Sequence, residues 1–111
     1  MPIVHCIISD VDKPVEEYLA NTFATKIGVD PNEVTISLLP AYRQYGGQYK
    51  ILAHLYLPDL WQPNQVDDMQ QALLDVLVSG FKVDSKEILI LTQLLKSGRV
   101  IDRGKVVNWK N

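Results

Sequence analysis

The sequence has little of several features that define large classes of protein. Cys6 is the one cysteine among 111 residues, which excludes an internal disulfide framework and a multi-cysteine metal site. No apolar run approaches the roughly 20 residues that a membrane-spanning helix needs. The N-terminus has no basic segment before an apolar stretch, so a secretory signal is not indicated. We therefore expect a cytoplasmic protein that has no membrane partner.

Positive charge is also scarce. The 11 Lys and Arg residues are outnumbered by 13 Asp and Glu residues, which gives a formal net charge of −2. Proteins that bind nucleic acid carry a basic surface, so we expect no nucleic-acid partner. Hydrophobic residues make up 47% of the chain, which is typical of a globular protein and not of a disordered one. The length predicts a single domain.

The motifs of common cofactor and catalytic sites are missing as well. The chain has no Gly-rich phosphate loop, no His-x-x-x-His pair and no Ser-His-Asp spacing. We therefore predict no cofactor and no metal. The two histidines, His5 and His54, could form a metal site with Cys6, but the spacing does not require one. A strand histidine that is hydrogen-bonded to a backbone carbonyl is the alternative.

The hydrophobic pattern predicts four strands and two helices. Apolar segments rich in β-branched residues predict strands at 3–8, 34–39, 49–57 and 88–95. Asp12 is a suitable N-cap for the first helix, which ends at Gly28, and Asn64 for the second, which ends near Gly80. The tail, 96–111, has two turn signals and predicts a hairpin or short strands.

The chain has an internal similarity. Val29-Asp30-Pro31-Asn32-Glu33 and Val83-Asp84-Ser85-Lys86-Glu87 lie about 54 residues apart, and each follows a predicted helix and precedes a predicted strand. This pattern predicts an α+β domain over 1–111 that is built from tandem β-α-β units at about 1–40 and 48–95. The simplest assembly is a four-stranded mixed sheet with both helices on one face. Because the strands are apolar on both faces, we expect another subunit to cover the other face.

The chain begins Met-Pro directly before the first strand. A small second residue permits removal of the initiator methionine, which would leave Pro2 as a free secondary amine on that strand. Apolar surroundings and nearby cations would lower the pKa of this amine. A neutral prolyl nitrogen can act as a general base or as a nucleophile.

A tandem β-α-β chain of this length that opens Met-Pro-Ile-Val resembles the tautomerase superfamily, which includes macrophage migration inhibitory factor, 4-oxalocrotonate tautomerase and the chloroacrylic acid dehalogenases. The strand that ends at Pro40 and the later Tyr45-Gly46-Gly47 turn are similar to the corresponding stretch of the inhibitory factor. The resemblance covers nearly the whole chain. It implies a homotrimer with active sites at subunit boundaries and Pro2 as the catalytic base.

The residues that bind carboxylate in the superfamily are not reproduced at the matching positions, which here are Asp12, Val29, Thr35, Leu89 and Leu91. Arg43 is the first candidate to replace them, because a guanidinium can bind a carboxylate through two hydrogen bonds. Tyr42 and Tyr45 flank it and could wall a pocket. The candidate substrate-binding residues are thus Arg43, Tyr45, Tyr42, Lys50 and Arg99, with Arg103 after them.

The leading hypothesis from the sequence is an enzyme. Pro2 would transfer a proton between the keto and enol forms of a small 2-oxo or enol carboxylic acid, and hydration or decarboxylation are variants of the same chemistry. Two other classes of function stay open. One is a non-enzymatic homotrimeric scaffold with the same fold, and the other is a ferredoxin-like binding module with the same order of elements.

Overall fold

The computed structural model describes residues 2–12 and 16–109, and its elements follow the predicted order. The first unit has strand β1 (Ile3–Ile8), helix α1 (Glu16–Ile27) and strand β2 (Thr35–Pro40). The second has strand β3 (Ile51–Pro58), helix α2 (Pro63–Phe81) and strand β4 (Ile88–Leu95). The tail forms a hairpin of strands β5 (Val100–Asp102) and β6 (Lys105–Val107). None of the helices in the described ranges is long and apolar enough to cross a membrane.

The main sheet has four strands in the order β2-β1-β3-β4. Strand β1 is parallel to β2 and antiparallel to β3, and β3 is parallel to β4. The sheet is therefore mixed, as predicted, and β1 is one of its two central strands. The direct pairing of β1 with β2 also distinguishes this topology from the split β-α-β arrangement of a ferredoxin-like module.

Both helices cover the same face of the sheet, and the core lies between. Val4 and Cys6 of β1 are buried there together with Leu19 of α1 and Leu73 of α2. Alternate residues of the four strands form the other face, which we call the helix-free face. Its members are Ile3, His5, Ile7, Thr35, Ser37, Leu39, Leu52, His54, Tyr56, Leu89, Leu91 and Gln93.

The two units repeat a local structure as well as a topology. A 3₁₀ turn precedes β2 at Pro31–Glu33, and another precedes β4 at Ser85–Glu87. In the first, the Asp30 carboxylate accepts a hydrogen bond from the Asn32 amide at 2.8 Å, and in the second, Asp84 accepts one from the Lys86 amide at 2.8 Å. The short sequence similarity therefore corresponds to a structural repeat.

Element boundaries differ from the predictions at a few points. Asn64 is not the N-cap of α2: Gln62 is, and Gln62 and Gln65 cap each other reciprocally around Pro63, which occupies the first turn. Asp12 precedes α1 without being helical, and the predicted first turn at Pro14 lies outside the described residues. Gly28 ends α1 with a φ of 76°, as expected for a residue that follows a helix.

Candidate functional site

Pro2 leads into β1 and is held there by the sheet. Its carbonyl oxygen accepts a hydrogen bond from the Thr35 amide at 3.1 Å, and its ring is fully buried. Because β1 is a central strand, this pairing leaves the pyrrolidine ring little freedom to move. A reactive nitrogen at this position would therefore be placed by the backbone of the sheet and not by a flexible tail.

A cavity of about 610 Å³ opens at the same end of the sheet, and we call it the proline-end cavity. Its lining comes from the start of β1, the first 3₁₀ turn, the start of β2 and the hairpin. The residues are Ile3, Asn32, Glu33, Thr35, Val100, Ile101, Asp102 and Arg103. Its volume is in the usual range of small-molecule sites, roughly 300–1,000 Å³.

The hairpin reaches this cavity because its base is fixed to the sheet. The Gly98 amide donates to the Val107 carbonyl at 3.0 Å, which closes the base of the hairpin. The Trp109 indole N–H donates to the Asp59 carboxylate at 2.9 Å, and the Trp109 amide donates to the Ser97 hydroxyl at 2.9 Å. The two bonds of Trp109 join the tail to the segment that follows β4 and to the segment that follows β3.

Arg43, Tyr42 and Tyr45, which we call the tyrosine–arginine cluster, lie at the opposite end of the sheet. The Arg43 guanidinium is 5.2 Å from the centre of the Tyr42 ring and donates to the Tyr45 hydroxyl at 3.4 Å. Hydrogen bonds to Tyr45 and Tyr42 raise the pKa of Arg43, which is fully exposed. The cluster borders a cavity of about 500 Å³ whose floor includes Ile7 and Leu52 of the helix-free face.

The candidate residues therefore form two groups within one chain. Pro2 and Arg43 are separated by the length of β1, which is about 20 Å at roughly 3.3 Å per residue. Lys50 lies at the Arg43 end and forms an ion pair with Glu87 at 3.5 Å. Arg99 follows β4 in the turn to the hairpin, at the Pro2 end. The structure thus brings together Arg43, Tyr42 and Tyr45, and it keeps them away from Pro2 of the same chain.

Gln44 is an important residue that the sequence did not single out. Its amide nitrogen donates to the Ser9 hydroxyl at 3.1 Å and to the Tyr49 carbonyl at 3.0 Å. Its amide oxygen accepts from the Tyr49 amide at 3.0 Å. No sequence motif identifies Gln44, because its hydrogen-bond partner Ser9 lies 35 positions away. Gln44 fixes the loop on which the tyrosine–arginine cluster is mounted.

The histidines and the cysteine lie on the two central strands, β1 and β3. His5 and His54 face each other across β1 and β3, and each ring lies near Tyr56. Within residues 2–12 and 16–109, no group of three or more His, Cys, Asp or Glu could hold a metal ion. Burial raises the pKa of Cys6 to about 12, so its thiol stays protonated and unreactive near neutral pH.

Comparison with known proteins finds similar structures but no match by sequence. No protein-family model and no curated protein matches the chain. Macrophage migration inhibitory factor from Oncomelania hupensis superposes with a TM-score of 0.75 and 16% identity, over 97% of this chain and 83% of that one.

Two further solved structures give similar values. A symmetric trimer of fused 4-OT has a TM-score of 0.77 and 11% identity, over 95% of this chain and 94% of that one. A protein crystallised after inactivation by 2-oxo-3-pentynoate has a TM-score of 0.72 and 12% identity, over 95% and 94%. With nearly complete coverage and the same tandem β-α-β topology, the chain has the fold of the tautomerase superfamily.

Proposed function

We propose that this protein is a homotrimeric tautomerase-like enzyme that uses Pro2 as a general base on a small 2-oxo or enol carboxylic acid. The observation that carries the proposal is the position of Pro2. It precedes a central strand, its ring is buried, and its neighbours Ile3 and Thr35 line a cavity of ligand size. The fold is also that of 4-OT, and one structural neighbour is inactivated by a 2-oxo compound.

The proposed reaction moves one proton from oxygen to carbon. After removal of Met1, the neutral Pro2 nitrogen accepts the proton of the enol hydroxyl, and the carbon α to the new carbonyl receives a proton in return. Burial of the ring would disfavour the charged form of that amine and so favour the neutral form that a base requires. A guanidinium beside the substrate would hold its carboxylate and stabilise the negative charge that develops on the enolate oxygen.

The helix-free face supports the proposed assembly. It carries apolar side chains such as Leu39 and Leu91, which are 46% and 47% exposed in the single chain. A sheet with apolar residues on both faces is normally covered on both, and the fused 4-OT neighbour is a symmetric trimer. Three copies would bury these side chains against one another.

The trimer also gives the tyrosine–arginine cluster a route to a catalytic proline. Arg43 is too far from Pro2 of its own chain, so its proposed role as carboxylate clamp requires that it reach the Pro2 site of an adjacent subunit. Tyr42, Tyr45 and Lys50 lie at the same end and would approach that site with it. Arg99 would act from the Pro2 end of its own chain.

A non-enzymatic homotrimeric scaffold is the second candidate. Leu89 and Leu91 favour it, because two apolar residues occupy the helix-free side of β4 where the resemblance to macrophage migration inhibitory factor implies a tyrosine and an asparagine. Titration of the Pro2 nitrogen by NMR separates the two candidates. An enzyme requires a pKa well below that of an ordinary secondary amine, whereas an ordinary pKa favours the scaffold.

The proposal is tested by Pro2→Ala. Ketonisation of phenylenolpyruvate is followed by absorbance after intact mass has shown that Met1 is absent from both proteins. Loss of the general base should lower kcat/KM about 100-fold or more. Pro63→Ala is the matched control, because Pro63 is exposed at the start of α2 and distant in sequence from either cavity. Unchanged ketonisation by Pro2→Ala would exclude Pro2 as the base.

A further inference from the structure

The turn of the hairpin contains an arginine in a conformation that arginine disfavours. Strands β5 and β6 are joined by Arg103-Gly104, and both residues have positive φ, at 51° and 82°. This is the type I′ pattern, for which Asn-Gly, Asp-Gly and Gly-Gly are strongly preferred. A left-handed conformation costs a residue with a Cβ about 1–2 kcal/mol. The turn itself therefore gives no reason for an arginine at this position.

The surroundings of Arg103 give such a reason. Arg103 lines the proline-end cavity together with Ile3, which follows Pro2, and Thr35, whose amide is bonded to Pro2. In the described part of the chain, the ion pair within 4.0 Å is that of Lys50 with Glu87, and Arg103 forms none. Its guanidinium thus retains its capacity to bind an anion, at the same end of the sheet and in the same protomer as Pro2.

The rest of the lining limits which anion can bind. Glu33 and Asp102 also border the cavity, so one guanidinium is accompanied by two carboxylates. A ligand with one carboxylate can pair with Arg103 and present its hydroxyl or apolar part to the remaining lining. A second carboxylate on the ligand would meet Glu33 or Asp102, and like charges at close range repel one another.

We propose that the proline-end cavity binds a 2-oxo or enol acid with a single carboxylate, that Arg103 holds this carboxylate, and that Glu33 and Asp102 select against dicarboxylates. The inference rests on the proposed function, since it places the substrate of that reaction in the cavity at the Pro2 end of the sheet. It differs from the expectation for Arg43, which requires an adjacent subunit. Arg103 acts from the same chain, on a hairpin tied to β4 and Asp59.

Substitution of Arg103 tests the carboxylate contact. Because the contact forms in both the bound substrate and the transition state, Arg103→Gln should raise KM for phenylenolpyruvate about 10- to 100-fold with kcat nearly unchanged. Arg103→Asn should raise KM likewise without lowering the Tm, since asparagine suits the turn. Lys105→Gln removes the same charge from the next strand, outside the cavity lining, and should leave KM unchanged.

Comparison with Arg43→Gln decides between the two arginines. If Arg43→Gln raises KM and Arg103→Gln does not, the inference about Arg103 is wrong while the proposed function stands. The selectivity is tested with the enol of oxaloacetate, a dicarboxylate. The double variant Glu33→Gln, Asp102→Asn should increase kcat/KM for it about tenfold relative to phenylenolpyruvate. If the ratio of kcat/KM for these two substrates does not change, the proposed selection against dicarboxylates by Glu33 and Asp102 is wrong.

A binding measurement keeps the test independent of turnover. Titration of the protein with phenylpyruvate should shift the NMR amide signals of Ile3, Thr35 and Ile101, and Arg103→Gln should abolish these shifts. If the shifts occur but no ketonisation is seen, the site binds its ligand and the proposed function fails. If phenylpyruvate shifts none of these signals in the unmodified sequence, the inference fails.

Discussion

Gln44 shows how one side chain can order a loop that has little secondary structure of its own. The segment 41–50 joins β2 to β3 and carries three exposed functional candidates, with Tyr42 and Tyr45 at 90% and 79% exposure. Exposed side chains gain little stability from packing, so their position depends on the backbone beneath them. Gln44 supplies that support through one bond to Ser9 and two to the backbone of Tyr49.

Gln44→Ala should therefore destabilise the protein by about 2–3 kcal/mol, since three partly buried hydrogen bonds contribute roughly 1 kcal/mol each. Gln48→Ala is the matched control: Gln48 lies in the same loop but makes one long, exposed bond of 3.4 Å. Urea denaturation at equal protein concentration measures both. A Gln44→Ala protein as stable as Gln48→Ala would show that the loop is held by other contacts.

At the scale of elements, the two units use the same device to start their second strands. Asp30 and Asp84 are N-caps with φ of −70° and ψ of 138° and 141°, each bonded to the amide two residues on. Each short turn brings the chain from a helix into β2 or β4. A single 3₁₀ turn has few internal hydrogen bonds, so its cap contributes a large part of its stability.

Asp30→Ala and Asp84→Ala should each lower the free energy of unfolding by about 1 kcal/mol, the usual cost of losing an N-cap. Asp30→Asn and Asp84→Asn are the controls, because asparagine caps about as well as aspartate. Urea denaturation of the four variants compares the effects. If the Asn variants lose as much stability as the Ala variants, the stabilisation comes from the carboxylate charge and not from the cap hydrogen bond.

The elements that the sequence predicted best are those with a simple pattern. Strand β4 has the predicted bounds because its apolar run lies between Glu87 and Lys96. The predicted start of α2 was wrong, because asparagine has the higher N-cap preference and Asn64 was therefore chosen. In the structure, Pro63 and the reciprocal Gln62–Gln65 bonds set the boundary two residues earlier. Reciprocal capping by glutamines is a property of the pair and is not seen in single-residue preferences.

At the scale of the whole molecule, the sequence identified candidate residues but not which of them lie together. Pro2 was found from the start of the chain, and Arg43 from the ability of its guanidinium to bind a carboxylate. That they lie at opposite ends follows from the parallel pairing of β1 and β2. Arg103 and Ile3 line one cavity although they are far apart in the sequence, and the Trp109–Asp59 bond that anchors the tail spans 50 residues. No local pattern encodes such contacts.

At this scale, the number of chains in the assembly bears most directly on both proposals. Three 12.6 kDa chains should sediment as a species of about 38 kDa. Leu91 pairs with His54 within the helix-free face, and Leu91→Glu would place a charge on the apolar surface that the proposed trimer would bury. This variant should sediment as a monomer.

Leu60→Glu is the control for that experiment. Leu60 is 43% exposed, close to the 47% of Leu91, but it lies in the turn after β3 and not on the helix-free face. It should leave the trimer intact, because a charge at an exposed turn remains hydrated. Sedimentation velocity at several concentrations distinguishes the species. A Leu91→Glu protein that stays trimeric would place the subunit contact elsewhere, and Arg43 would then have no route across the helix-free face to a neighbouring Pro2.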